Sequence, residues 1–266
     1  MSSKTQYSGG VIAGMQMLYG EGFLSPGGAT EVGQLLTGLD PSGMRVLDIG
    51  CGLGGCSIML VRDFDAKHVT GIDIEQELTE RATAAVDAAA LTDQITIQKV
   101  DPGRFPFEDQ NFDLVVTKDV ICHVPDKHAI MAEIFRVLKT GGSYLCADFL
   151  DASDDEETSS EGRTYFQSYV DEMKAYGLSF HFESQSTYEN SLESAGFSLK
   201  DLRDHTTESV AVALKEKTFL ASDQSGLLAE VLGEDRFLSR LNASTLRLEA
   251  LKARGLLHVH FNARKP

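Results

Sequence analysis

Residues 46–55 read VLDIGCGLGG, an apolar run that opens into a loop holding Gly50, Gly52, Gly54 and Gly55. A buried strand running into such a loop and then into a helix leaves few folds open. Glycine lets the backbone approach a ligand closely, and the first N–H groups of the helix face whatever is bound there. Gly50, Gly52 and Gly55 fit G-x-G-x-x-G, a spacing shared by dinucleotide and nucleoside sites. Asp73 closes the next apolar run 21 residues beyond Gly52, close to the ~20 at which a carboxylate accepts hydrogen bonds from ribose hydroxyls. Loop and carboxylate together predict a cofactor that contains adenosine.

The rest of the chain supplies the scaffold. MRVLDIG (44–50), HVTGIDI (68–74), QITIQKV (94–100), FDLVVTKD (112–119) and SYLCADFL (143–150) read as buried strands. Between them Leu78, Ala82, Ala85, Val86 and Ala89, and then Ile130, Ile134, Val137 and Leu138, recur at helical spacing. This alternation predicts an α/β fold, a doubly wound and mostly parallel sheet. FSLKDLRDHT is a sixth strand. In the closing LLHVHFNARKP, Leu257, Val259 and Phe261 alternate with His258, His260 and Asn262, which predicts a terminal antiparallel strand with one wet face carrying both histidines. Upstream, VIAGMQMLYG and ATEVGQLLTGL flank FLSPGG and suggest a helical lid over residues 1–40 on a main domain of 41–266. The acidic run 151–162 reads as a solvated loop opening a segment to about Gln185, and about 209–254 as a helical insertion.

With 24 Lys+Arg against 40 Asp+Glu the formal charge is −16, which disfavours nucleic acid and anionic lipid as partners. Cys51, Cys56, Cys122 and Cys146 have neither zinc-site nor disulfide-framework spacing and read as reduced thiols. The first ten residues are polar, and no apolar run approaches the ~20 residues that span a bilayer. A soluble, cytoplasmic protein without nucleic-acid or membrane partners is expected.

Asp48 lies inside the strand before the glycines, where a buried carboxylate is costly unless a polar or cationic group faces it. A sulfonium cofactor with an amino-acid tail supplies such groups, whereas a pyrophosphate would be repelled. Asp101, in VDPGRFPF after the third strand, is placed to receive an adenine amino group. VLDIGCGLGG, GIDI, VDPGRFPFEDQNFDLVVTKD and RVLKTGGSYLCAD, taken in order over about 40–150, resemble the class I S-adenosylmethionine-dependent methyltransferases. The resemblance implies a Rossmann-like seven-stranded sheet, and S-adenosyl-L-methionine held by Asp48, Gly50, Gly52, Asp73, Ile74, Asp101 and Pro102. A dehydrogenase would use the same loop but leave Asp48 unexplained.

Methyl transfer needs an acceptor on the methyl axis, exclusion of water, and an exit for any proton the acceptor carries. TKDVICHVP follows the fourth strand, with Asp119 and His123 four residues apart, the spacing that shares a face on one helical turn. The start QYSGGVIAGMQMLYGEGFLSPGG (6–28) is similar to that of phosphoethanolamine N-methyltransferases and of glycine, sarcosine and dimethylglycine methyltransferases. By that resemblance Tyr7 and His123 form a dyad that closes the lid, Asp119 stands beside the amine, Gln6 and Ser25 touch the cofactor, and Lys118 replaces a basic residue near its adenine side. Phe149, Met173, Ala175 and Leu241 stand where the phosphobase enzymes place tyrosines, an arginine and a lysine. The implied function is N-methylation of a small polar amine or amino acid. Methylation at oxygen, sulfur or carbon of a larger metabolite, and cofactor binding without catalysis, are the alternatives. Arg163, Lys174, Arg240 and Arg247 are the cations that could meet an acceptor's acid group, each read first as a solvated surface charge. No metal is implied.

Overall fold

The computed structural model describes residues 9–153, 155–156 and 158–266. Its strands are β1 (Arg45–Ile49), β2 (His68–Asp73), β3 (Ile95–Lys99), β4 (Phe112–Lys118), β5 (Leu138–Asp151), β6 (Ser198–Asp204) and β7 (Leu256–Arg264). They form one sheet in the order β3-β2-β1-β4-β5-β7-β6, with β7 antiparallel to both of its neighbours. Successive strand residues serve opposite faces, and here both faces are covered. Leu47 and Val115 join one core cluster, whereas Val46, Leu114 and Val116 join another.

The helices are α1 (Gly9–Tyr19), α2 (Gly28–Leu35), α3 (Gly55–Arg62), α4 (Gln76–Ala88), α5 (Lys127–Val137), α6 (Ser160–Tyr176), α7 (Gln185–Ala195), α8 (Thr206–Leu220), α9 (Gly226–Leu232) and α10 (Glu234–Lys252). Met131 and Ile134 of α5 pack with Tyr188 and Leu192 of α7 on the first face, and Leu35 of α2 with Leu60 of α3 on the second. A third cluster joins Phe149 of β5 to Phe166 and Met173 of α6, Ala213 of α8 and Leu248 of α10. These helices lie over the carboxyl end of β5. Asp126, Ser159 and Ser184 cap α5, α6 and α7 by accepting backbone N–H groups.

Four sequence expectations change. The terminal strand has no wet face: β7 lies between β5 and β6, and His258 and His260 are 2% and 0% exposed. Alternation in a strand inserted between two others marks two different buried environments. The stretch to Gln185 is not all loop, because a helix of 17 residues, capped by Ser159, starts at Ser160 within the acidic run itself. The helical insertion is three helices, interrupted at Asp223–Ser225 and at Gly233, whose φ of 79° suits glycine. The fifth strand begins at Leu138 rather than at Ser143, with an irregular register opposite Phe112 and Leu114.

Candidate active site

Strand order reverses between β1 and β4, and in open α/β sheets ligands bind beyond the carboxyl ends at that switch point. A cavity of about 500 Å³ opens there. Gly50 turns the chain at φ 70°, and a Cβ on it would fall 2.4 Å from Val120 Cγ2. Gly22, from the turn after α1, lies against Gly55 so closely that a Cβ on Gly55 would meet the Gly22 carbonyl oxygen at 2.6 Å. Glycine on both sides therefore lets the N-terminal segment seat directly on the loop. Asp48, 3% exposed, accepts from Ser57 Oγ at 2.6 Å. Burial outweighs that bond and pushes its carboxyl up to about 7, with Asp73 adding to the rise.

Asp73 accepts the Gly52 N–H on Oδ2 and the Glu75 N–H on Oδ1, both at 3.0 Å. Burial raises its pKa despite these bonds. Ile74, next to it, lines the cavity yet is 53% exposed, an apolar surface suited to the flat face of a base. Asp101 and Pro102 lie on the same rim, with Asp101 exposed and ion-paired to Lys99. These residues fit a nucleoside: backbone held off by missing Cβ atoms, a carboxylate at sugar distance along the strand ends, and an apolar shelf beside it.

On the other side, Asp119 has φ 55°, in the left-handed region. It precedes a short 3₁₀ turn at Ile121–His123, so Asp119 and His123 do not share a helical face, although both line the cavity. The strained backbone turns the Asp119 carboxylate inward, where Oδ2 accepts from Lys118 Nζ at 2.7 Å. Its Oδ1 is buried and receives no hydrogen bond among the described residues, with His258 Nε2 at 3.6 Å. Burial opposes charge on Asp119, but Lys118 and His258 overcome it and hold its pKa well below the ordinary carboxylate range.

Lys118 does not stand free on an adenine side. Its ammonium donates to Ser25 Oγ at 2.8 Å and to the Pro26 carbonyl at 2.7 Å, and lies 3.1 Å from Glu31 Oε2. Ser25 is thus fixed at the cavity wall by Lys118. His123 bonds the Ser179 carbonyl through Nδ1 at 2.9 Å and stacks on Phe180 at 4.5 Å between ring centroids, so Nε2 is the nitrogen that can serve a ligand. Gln6 and Tyr7 lie outside the described residues.

Glu31 was not anticipated from the sequence, where it reads as one more helical carboxylate. Its Oε1 meets His260 Nε2 in a hydrogen bond at 3.2 Å and lies 3.0 Å from His258 Nε2, which makes no hydrogen bond among the described residues. Burial opposes a charge on His258, yet Glu31 and Asp119 raise its pKa. Burial lowers that of His260. Glu31, His258 and His260 offer three ligand atoms close enough for a metal ion, but Lys118 already brings a cation to the same carboxylate.

The far wall carries the largest correction. Arg163 and Lys174 are exposed, whereas Arg240 and Arg247 are 7% and 5% exposed and line the cavity. The spacing of Arg240, Ala243, Ser244, Arg247, Leu248 and Leu251, all buried on α10, is the ordinary pattern of one helical face. That pattern of small and apolar partners was the available signal. Leu241 points elsewhere, being half-buried and away from the cavity lining. Phe149 stacks on His258 at 4.3 Å, and buried Met173 lies in the wall beside Tyr169.

The methyltransferase-domain family matches residues 40–196, and the chain belongs to it. More particularly, it is 29% identical over 231 residues to phosphoethanolamine N-methyltransferase 1 of Triticum aestivum, covering 86% of this chain and 44% of that protein. The chain thus spans less than half the length of the plant relatives it matches. Phosphoethanolamine N-methyltransferase 2 of Haemonchus contortus, solved with phosphomonomethylethanolamine and S-adenosylhomocysteine, superposes with TM-score 0.85 at 24% identity over 99% of this chain and 59% of that one. A Galdieria sulphuraria protein described as a sarcosine dimethylglycine methyltransferase gives TM-score 0.73 at 22% identity over 89% and 83% of the two chains. Both likenesses concern the fold. Among the described residues no helix is long and apolar enough to cross a membrane.

Proposed function

We propose that the protein transfers a methyl group from S-adenosylmethionine to the nitrogen of a small polar amine. One observation carries the reading: a single cavity holds a nucleoside-type wall, Gly50 to Gly55 with Asp73 and Ile74, opposite a buried carboxylate oxygen, Asp119 Oδ1, that lacks a hydrogen bond among the described residues. The phosphoethanolamine N-methyltransferase relatives and the family match support the cofactor and reaction type.

When bound, S-adenosylmethionine supplies a methyl group made electrophilic by its cationic sulfur. The glycines would admit the cofactor, Asp73 and Asp101 would accept from its ribose and adenine, Ile74 would cover the base, and Asp48 would meet its amino-acid tail. Asp119 Oδ1 accepts from the amine and turns its lone pair toward the methyl group. The proton the amine gives up passes to His123 Nε2, the free ring nitrogen at the cavity edge. Residues 9–40 act as a lid, because the turn after α1 seats Gly22 on Gly55 and α2 carries Glu31. Phosphoethanolamine is the acceptor named for the relatives. Here Phe149 and Met173 bring no polar donor to that wall, so Arg240 and Arg247 are the cations it offers to an acceptor's acid end. Incubating the full chain with labelled S-adenosylmethionine and glycine, sarcosine, dimethylglycine, phosphoethanolamine and hydroxyl acceptors tests the reading. Label in an amine product supports it, whereas label only in an oxygen, sulfur or carbon product overturns it.

A further inference from the structure

Arg240 and Arg247 stand seven residues apart on one face of α10, and both reach the cavity. A single carboxylate, Glu216 of α8, lies between them: its Oε1 accepts from Arg240 Nη2 at 2.7 Å and its Oε2 from Arg247 Nη2. The Tyr19 hydroxyl of α1 donates to Glu216 Oε2 at 3.0 Å and accepts from Arg240, whose guanidinium also lies 5.4 Å from the Tyr19 ring centre. Two guanidinium groups against one carboxylate leave one positive charge without a partner in this cluster. Burial and the neighbouring Arg247 push Arg240 down to about 9, which still leaves it protonated at neutral pH. Arg240 Nε is buried and has no hydrogen-bond acceptor among the described residues.

An unmatched buried charge is strongly unfavourable unless something neutralises it. The wall beside the pair is apolar at Phe149, Met173 and Leu178, and Asp119 across the cavity acts on Arg247 without an ion-pair contact to either arginine among the described residues. We propose that Arg240 and Arg247 anchor one carboxylate of the methyl acceptor, and that Glu216 sets the charge accepted there at minus one. The acceptor is then an amine bearing a single carboxylate, with its nitrogen at Asp119 and its acid end at the arginine pair. A guanidinium fork matches carboxylate geometry. A phosphate dianion would instead leave a negative charge in an apolar chamber.

This inference rests on the amine-methylating reading, and binding separates the two. Glycine, sarcosine, β-alanine, 4-aminobutyrate and phosphoethanolamine are titrated calorimetrically into the full chain saturated with S-adenosylhomocysteine. At least one carboxylate amine should bind tighter than phosphoethanolamine. Arg240→Gln and Arg247→Gln should each weaken it at least tenfold with S-adenosylhomocysteine affinity kept. Glu216→Gln, which adds one positive charge and keeps both arginines, should move the preference at least tenfold toward phosphoethanolamine. Tighter wild-type binding of phosphoethanolamine, or acceptor affinity unchanged in folded arginine variants, overturns the proposal. If those variants fail to bind S-adenosylhomocysteine, the wild-type preference and Glu216→Gln decide. Carboxylate binding without methylation of any amine would sink the functional reading and leave this site standing.

Discussion

Lys118 Nζ, at the end of β4, lies 3.1 Å from Glu31 Oε2 in α2, and both side chains are 7% exposed. The same ammonium reaches Ser25, Pro26 and Asp119. One cation thus fastens α2 and the turn before it to the sheet and balances two buried carboxylates. Burial disfavours its charge, but Asp119 and Glu31 raise its pKa above the ordinary lysine range.

Lys118→Met should therefore cost ~3–5 kcal/mol, the usual penalty for stripping one partner from a buried pair, and lower the thermal midpoint on the order of 10 °C. Adding Glu31→Gln should restore part of the loss by removing one stranded charge. Scanning calorimetry of the single and double variants checks this. A double variant less stable than Lys118→Met alone would mean that Glu31 is held by something other than this ammonium.

Asp73→Ala should weaken S-adenosylmethionine binding about 100-fold or more, since two charge-assisted bonds to ribose are each worth ~1.5–3 kcal/mol. Asp73 also fixes the Gly52 and Glu75 N–H groups. Asp73→Asn keeps one acceptor oxygen for them and should fall between the two. Titration calorimetry showing wild-type affinity in Asp73→Ala would remove this strand end from the cofactor site.

The folded chain holds the Asp48 proton up to about 7 against an ordinary 3.8. A group whose folded pKa is raised binds its proton more tightly folded than unfolded, so its contribution to stability declines as pH climbs from about 4 to 7. Above that window the buried carboxylate costs roughly 4 kcal/mol. Without cofactor, Asp48→Asn should gain on the wild type between pH 5 and pH 8. Urea unfolding at those pH values that ran parallel for the two proteins would show that Asp48 is not protonated by burial.

Much of the fold was legible because β1, β2 and β4 are apolar runs, which burial on both sheet faces demands, whereas β3 at the sheet edge is mixed and half exposed. Of the site, the glycine loop and Asp73 were readable because backbone geometry forces their spacing. His258 and His260 misled, since alternation reports the pleat and not what covers each face. Whether Glu31 or Glu216 meets solvent depends on the strands and helices opposite, far away in sequence. Arg240 and Arg247 could have been placed by the buried face they share with Ala243 and Leu248.

Tyr7 and His123 lie far apart in the sequence. His123 Nδ1 is held by the Ser179 carbonyl and its ring by Phe180, so the imidazole is oriented before any ligand arrives. A tyrosine hydroxyl from the lid that met Nε2 would close the cavity only over a bound acceptor and fix the amine against the methyl axis. Loss of either group should lower kcat by roughly 100-fold to 10,000-fold, the range for a positioned acid–base group, with cofactor affinity little changed. The two losses should not add, because groups acting as one unit are lost once. Steady-state kinetics of Tyr7→Phe, His123→Ala and the double variant test this. An unimpaired Tyr7→Phe enzyme, or fully additive losses, would mean that His123 works without the lid tyrosine.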